Sequence, residues 1–135
     1  MKYKESIPLS VLFAVLGSIT FAQPSKTKTE QEIKSMLCHK WHLTYVEAKG
    51  KKMPAPNDTN NDFVLFKPDG TLTEMEVGKE RRPGKWTYNH SDMTLKIDDA
   101  DGIDVNKIVK ITSTDLVLQS KFDNVLTKWI MKWVD

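Results

Sequence analysis

The chain predicts an all-β fold: an eight-stranded antiparallel up-and-down β-barrel preceded by a short helix. Three observations predict it. Short runs of alternating apolar residues recur from Lys40 to Val134 and number about eight, each with the length and period of a strand. Turn-forming residues separate them. Ahead of the first run, Thr29-Glu30-Gln31-Glu32 matches a capping box, the signature of a helix start.

Each element follows from its own residues. After the capping box, Ile33, Met36 and Leu37 share one helical face, which can lie over one end of a barrel. In the first strand Trp41, Leu43 and Tyr45 alternate with His42, Thr44 and Val46. Phe63, Leu65 and Phe66 mark the second, which runs into the turn Pro68-Asp69-Gly70. Leu72 to Val77 is the third and Gly84 to Tyr88 the fourth. Asn89-His90-Ser91-Asp92 then turns the chain into the fifth, Met93 to Ile97. Beyond Asp98-Asp99-Ala100-Asp101-Gly102 come Ile103 to Ile111, Leu116 to Phe122 and Val125 to Val134. Short connections favour up-and-down order over crossing ones. A two-sheet sandwich has similar strand spacing, but closure removes the edges that an open sheet must protect.

One connection breaks the rhythm. Lys49 to Asn61 has no periodicity, and a loop of that length in a small domain is functional or mobile. Joining the first two strands, it would sit at a barrel mouth as a lid. Lys49, Lys51 and Lys52 would be placed to meet an acidic headgroup.

Residues 1–22 read as a secretory signal peptide. Lys2 and Lys4 precede a largely apolar run from Ile7 to Ile19, and Thr20-Phe21-Ala22 supplies a small-x-small cleavage site. The run is shorter than the ~20 residues of a membrane span, so no stable membrane anchor is expected. The product is expected to be periplasmic or secreted, with residues 23–28 a disordered lead-in and 29–135 one domain. Cleavage would take two lysines and one glutamate from 20 basic and 18 acidic side chains, leaving a net charge of +1. That balance offers no electrostatic footprint for nucleic acid. The single cysteine, Cys38, excludes an internal disulfide; beside Met36 and Leu37 it reads as a small buried apolar side chain.

The helix, Lys-Trp-His-Leu at 40–43, the long loop, Phe-x-x-Asp-Gly-Thr at 66–71 and Gly-Lys-Trp-Thr at 84–87 resemble the lipocalin-like domains of exported bacterial proteins, common in Bacteroidota. The resemblance covers essentially all of residues 29–135. It implies a lipocalin-like barrel that binds a small hydrophobic molecule, with Trp41 packing across the closed end. The chain departs from the lipocalin pattern in three places, the first being that it has no Thr-Asp-Tyr motif. His39-Lys40-Trp41 stands where lipocalins carry Gly-x-Trp, and the only arginines, Arg81 and Arg82, precede the fourth strand instead of lying in a late one.

Several residues are expected to face inward. They are Trp41, Leu43 and Tyr45 of the first strand, Phe63 and Leu65 of the second, and Trp86 and Tyr88 of the fourth. Later strands add Leu95, Ile97, Leu116, Leu118, Trp129, Met131 and Trp133. They either line a ligand cavity or fill a solid core, and eight strands permit both. Glu74 and Glu76 share a face with Leu72. Turned inward, they would orient a cationic or polar ligand; turned outward, they are solvated surface, the commoner fate of charged side chains.

Other chemistry finds less support. His39 and His42 beside Cys38 would suggest a transition metal only if the helix ran through both, whereas neighbouring strand positions diverge. No metal site is expected. Asp99, Asp101 and Asp104 around Gly102 lack the rest of a calcium loop and read as a solvated hairpin turn. No nucleophile elbow, phosphate loop or zinc-protease motif occurs, so neither a cofactor nor an enzyme is expected. The preferred reading is an exported protein that holds a small hydrophobic or amphipathic ligand in its barrel. The alternative is a filled barrel that contacts other envelope components through its surface. An enzyme would require acids or histidines that converge only in three dimensions.

Overall fold

The computed structural model describes residues 27–55 and 62–135. The signal peptide, most of the lead-in, and residues 56–61 of the lidlike loop lie outside the described residues. Helix α1 spans Glu30–Leu37. Thr29 caps it: its Oγ1 accepts from the Glu32 N–H, and the Glu32 carboxylate accepts from the Thr29 N–H, each at 3.1 Å.

Ten strands follow: β1 Lys40–Ala48, β2 Lys51–Pro54, β3 Phe63–Phe66, β4 Thr71–Glu76, β5 Lys79–Glu80, β6 Gly84–Asn89, β7 Thr94–Asp99, β8 Gly102–Ile111, β9 Asp115–Phe122 and β10 Val125–Val134. Eight of them form a closed antiparallel barrel in the order β10-β9-β8-β7-β6-β4-β3-β1, and β1 pairs back with β10. These are the eight runs read from the sequence. The remaining two, β2 and β5, were not expected. Each folds back on its predecessor through a two-residue turn, Lys49-Gly50 and Val77-Gly78, in which both residues have positive φ. Such turns match the right-handed twist of a hairpin. The connection from Lys49 is therefore partly a β-ribbon, correcting its reading as aperiodic loop.

The two ends of the barrel differ. At one end α1 lays Ile33 and Leu37 against the inner row of the strands, where Trp41, Phe66, Leu72, Leu95 and Leu116 are all essentially inaccessible. This end is solid. Trp41 lies across it as the family resemblance implies.

Two stretches reverse the predicted facing. Between Leu43 and Tyr45, β1 carries a bulge against β10. One extra residue flips every side chain beyond it, so Tyr45 turns out to solvent, with the Lys52 ammonium 4.7 Å from its ring centre. In β3 all four residues are apolar, and it is Val64 and Phe66 that pack on the core. Phe63 and Leu65 occupy the alternate, outer positions. Trp133 lies past the last core layer, 40% exposed and stacked on His39 at 4.2 Å.

Candidate functional site

The inner row continues toward the other end as Leu43, Val64, Ile97, Leu118, Trp129 and Met131, and there the packing opens. A cavity of about 210 Å³ remains among these residues. A second, of about 250 Å³, adjoins it and shares Leu43, Val64, Glu74 and Met131; its outer wall reaches Ala55, Asp62 and Phe63. The barrel is thus filled at its helix end and hollow at its mouth.

The mouth brings together acids from separate strands. On β4, Glu74 lies two residues beyond buried Leu72 and so shares its inward face. On β7, Leu95, Ile97 and Asp99 form one inner row, which makes Asp99 the polar end of an apolar stripe, only 9% exposed. Asp104 and Asn106 of β8 and Ser120 and Lys121 of β9 complete the polar wall. Trp129 belongs to it through its Nε1–H, which donates to Ser120 Oγ at 3.1 Å.

Glu74 and Asp99 line the same cavity, close enough for their carboxyls to interact. Burial first, then the hydrogen bond and charge of Asp99, push the Glu74 carboxyl up to about 8, against the pull of Arg81. Two such groups in contact cannot both ionise readily. At neutral pH Glu74 therefore keeps its proton.

Two arginines brace the site because the wall is incomplete beside it. Strands β4 and β6 pair only at Thr71–Lys85 and Leu72–Gly84, so beyond Leu72 the sheet parts. The segment after β5 fills the gap. Arg81 reaches Asp101 with Nη1 and Nη2 at 2.9 and 2.8 Å and Glu76 at 2.9 Å, while its N–H donates to the Glu74 carbonyl. Arg82 Nη2 donates to the Asp99 carbonyl at 3.0 Å. The Arg81 hydrogen bonds hold the Asp101 carboxyl below the usual carboxylate range.

The predicted site residues therefore separate into groups. Leu43, Glu74, Leu118, Trp129 and Met131 line the hollow mouth, and Trp41 forms part of its floor. Trp86, Tyr88, Leu95 and Leu116 face inward but belong to the solid core; the Tyr88 hydroxyl bonds His90 Nδ1 at 2.9 Å. Glu76 is on the Glu74 face but at the rim, paired with Arg81. Tyr45, Leu65 and Trp133 contribute nothing to the cavities, and Phe63 edges one from outside. The lysines expected to meet an acidic headgroup are displaced too: Lys49, Lys51 and Lys52 are exposed, and the cavity wall carries carboxyls. The aspartates read as a solvated turn divide: Asp99 is buried at the cavity, whereas Asp104 at its edge and Asp101 are exposed.

His39 stacks on Trp133, and the His42 Nδ1–H donates to the Asp62 carbonyl at 2.7 Å. Among the described residues no three His, Cys, Asp or Glu side chains stand close enough to hold a metal ion. Among the same residues no helix is long and apolar enough to cross a membrane. Sequence reading missed Asp99, Asp104 and Arg81 as site residues. A signal for Asp99 was present, since it continues the Leu95–Ile97 alternation.

Comparison with known proteins agrees with the fold. No curated protein matches the chain. A crystal structure of a lipocalin-like protein from Bacteroides uniformis superposes with a TM-score of 0.54 at 16% identity, covering 73% of this chain and 99% of that one. At that identity the likeness speaks for the fold alone. The lipocalin-like domain family matches residues 37–118, from the end of α1 through six of the barrel strands and half of β9. With the closed eight-stranded barrel and the helix packed on one end, this chain belongs to the lipocalin-like domain family.

Proposed function

We propose that this protein is exported and holds or carries a small hydrophobic or amphipathic ligand in the mouth of its barrel. The observation that carries the reading is the cavity of about 210 Å³ whose wall is apolar along Leu43, Val64, Leu118 and Met131 and polar at Glu74 and Asp99. A mostly apolar concavity with a few convergent polar groups is the usual form of a small-molecule site. Its volume falls below the ~300–1,000 Å³ typical of such sites. At roughly 30 Å³ per water-sized unit, it accommodates about seven non-hydrogen atoms. The leader at residues 1–22 supports export.

Native mass spectrometry of the protein, recovered after export from its own host, tests this. Extra mass released on denaturation and identified in an organic extract is the expected result. Recovery of uncleaved protein inside the cell would sink the export half of the proposal. A bare mass that stays bare on incubation with host extract would sink the carrier half. A second reading, a surface-acting envelope module, draws on the exposed outer residues Ile103 and Val105 of β8, about 60% accessible. Stable capture of an envelope component by wild-type protein, abolished by Ile103→Lys, would favour it.

A further inference from the structure

We infer that the mouth cavity selects a small alkylammonium ligand, its nitrogen seated between Glu74 and Asp99 and its chain lying along Leu43, Val64 and Met131. This rests on the carrier reading and specifies the ligand class.

The charges around the cavity favour a cation. Three acids line it, Glu74 from β4, Asp99 from β7 and, exposed at its edge, Asp104 from β8, against one cation, the likewise exposed Lys121 of β9. Arg81 is held by Asp101 and Glu76, and Arg82 donates to a backbone carbonyl. Arg81 acts on Glu74 through its charge without an ion pair to it, and that pull is outweighed by burial and by Asp99. Anionic heads would meet carboxyls at close range. A neutral head would gain hydrogen bonds but no ion pair.

The acid pair also costs the fold something. Burying carboxyls is unfavourable unless they are paired with an opposite charge, and here the partner of Glu74 is another acid. Nothing in the packing requires that, since an amide would hydrogen-bond Asp99 equally well. A perturbed group in a cleft beside a specific charged partner is a candidate functional group.

An ammonium ion changes the balance. Its N–H groups can donate to both carboxylates at once, taking the place of the proton that Glu74 holds. That proton passes to solvent, so charge is conserved: one cation enters as one proton leaves. Binding must then strengthen as pH rises toward the range in which Glu74 ionises. The groups facing the pair are Arg81, Asp101 and Glu76 at the rim, Asp104 on β8 and Lys121 on β9.

Calorimetric titration of the purified protein with n-hexylamine, 1-hexanol and hexanoate at pH 6.5 and 9 tests the inference, with amide shift mapping to locate binding. Hexylamine, with a pKa near that of lysine at about 10.4, stays cationic throughout. The expected order is hexylamine, then 1-hexanol, then hexanoate, with roughly tenfold between the first two. Hexylamine should bind more tightly at pH 9 and release a proton at pH 6.5, seen as a buffer-dependent heat. Shifts should centre on Glu74, Asp99 and Trp129. In Glu74→Gln the pH dependence should vanish, and Tyr45→Ser on the outer face serves as the control. If 1-hexanol binds in the cavity as tightly as hexylamine, the cation inference is overturned and the carrier reading stands. If no probe moves the cavity residues at millimolar concentration, both fall.

Discussion

The indole Nε1–H of Trp41 donates to the carbonyl of Leu37 at 3.0 Å, and neither residue has any solvent exposure. The same carbonyl accepts the His39 N–H at 2.7 Å. A last-turn carbonyl of α1, which would otherwise want a partner, is thereby bonded to the strand that the helix leads into. This contact fastens the cap onto the barrel and makes one end solid.

Trp41→Phe should therefore destabilise the protein by about 1–3 kcal/mol, combining a lost buried hydrogen bond with a small void. Urea unfolding followed by tryptophan fluorescence measures it. A loss below about 0.5 kcal/mol would mean that the cap is not held this way, since that is the range of neutral surface changes.

Stability should depend on pH through Glu74. Its carboxyl is pushed up to about 8 from an ordinary value of 4.5. Between those limits the folded protein holds a proton that the unfolded chain has released. Stability from this group is thus greatest below pH 4.5 and falls as pH rises toward 8. Glu74→Gln should leave the melting temperature unchanged near pH 4.5 and raise it at pH 8. The gain should be about 1 kcal/mol, or roughly 3–6 °C, because solvent at the mouth screens the full effect. Melting curves at the two pH values decide it, and a variant less stable at pH 8 would contradict the assignment.

Gly84 marks the point where β4 and β6 part. A Cβ placed there would stand 2.7 Å from the Asp98 carbonyl oxygen and 3.1 Å from the Leu72 side chain. Backbone cannot move aside cheaply. Gly84→Ala should cost about 1–3 kcal/mol, the usual cost of overpacking, despite alanine's better fit to a strand. Hydrogen exchange should show the loss first at β6 amides.

The facing of β1 and β3 can be tested by a pair of substitutions. Phe66→Ala removes an inaccessible ring and should cost about 3–5 kcal/mol. Tyr45→Ser, on the bulged and outward part of β1, should change stability by no more than about 0.5 kcal/mol. Comparable losses at both sites would mean that the bulge is misplaced.

Much of the barrel was legible because strand, turn and cap signals are local. Alternation over six to ten residues marks β1, β6, β7 and β10, and the capping box at Thr29 needs only its neighbour three residues on. The family resemblance is what assigned Trp41 to the closed end. Facing was not local. Phe63-Val64-Leu65-Phe66 is apolar at every position, so no period distinguishes its two sides, and the bulge in β1 exists only against β10, over 80 residues later. The site was less legible still. Glu74 alternates with Leu72, and Asp99 with Ile97, but each looks like a strand-end acid until the barrel closes. The local pattern of polar and apolar residues determines which segments become strands. Only the closing of the barrel, with β6 pairing β4 no further than Leu72, brings the Glu74 and Asp99 carboxyls to one cavity, because a pKa and a binding surface depend on neighbours in space that the chain order separates.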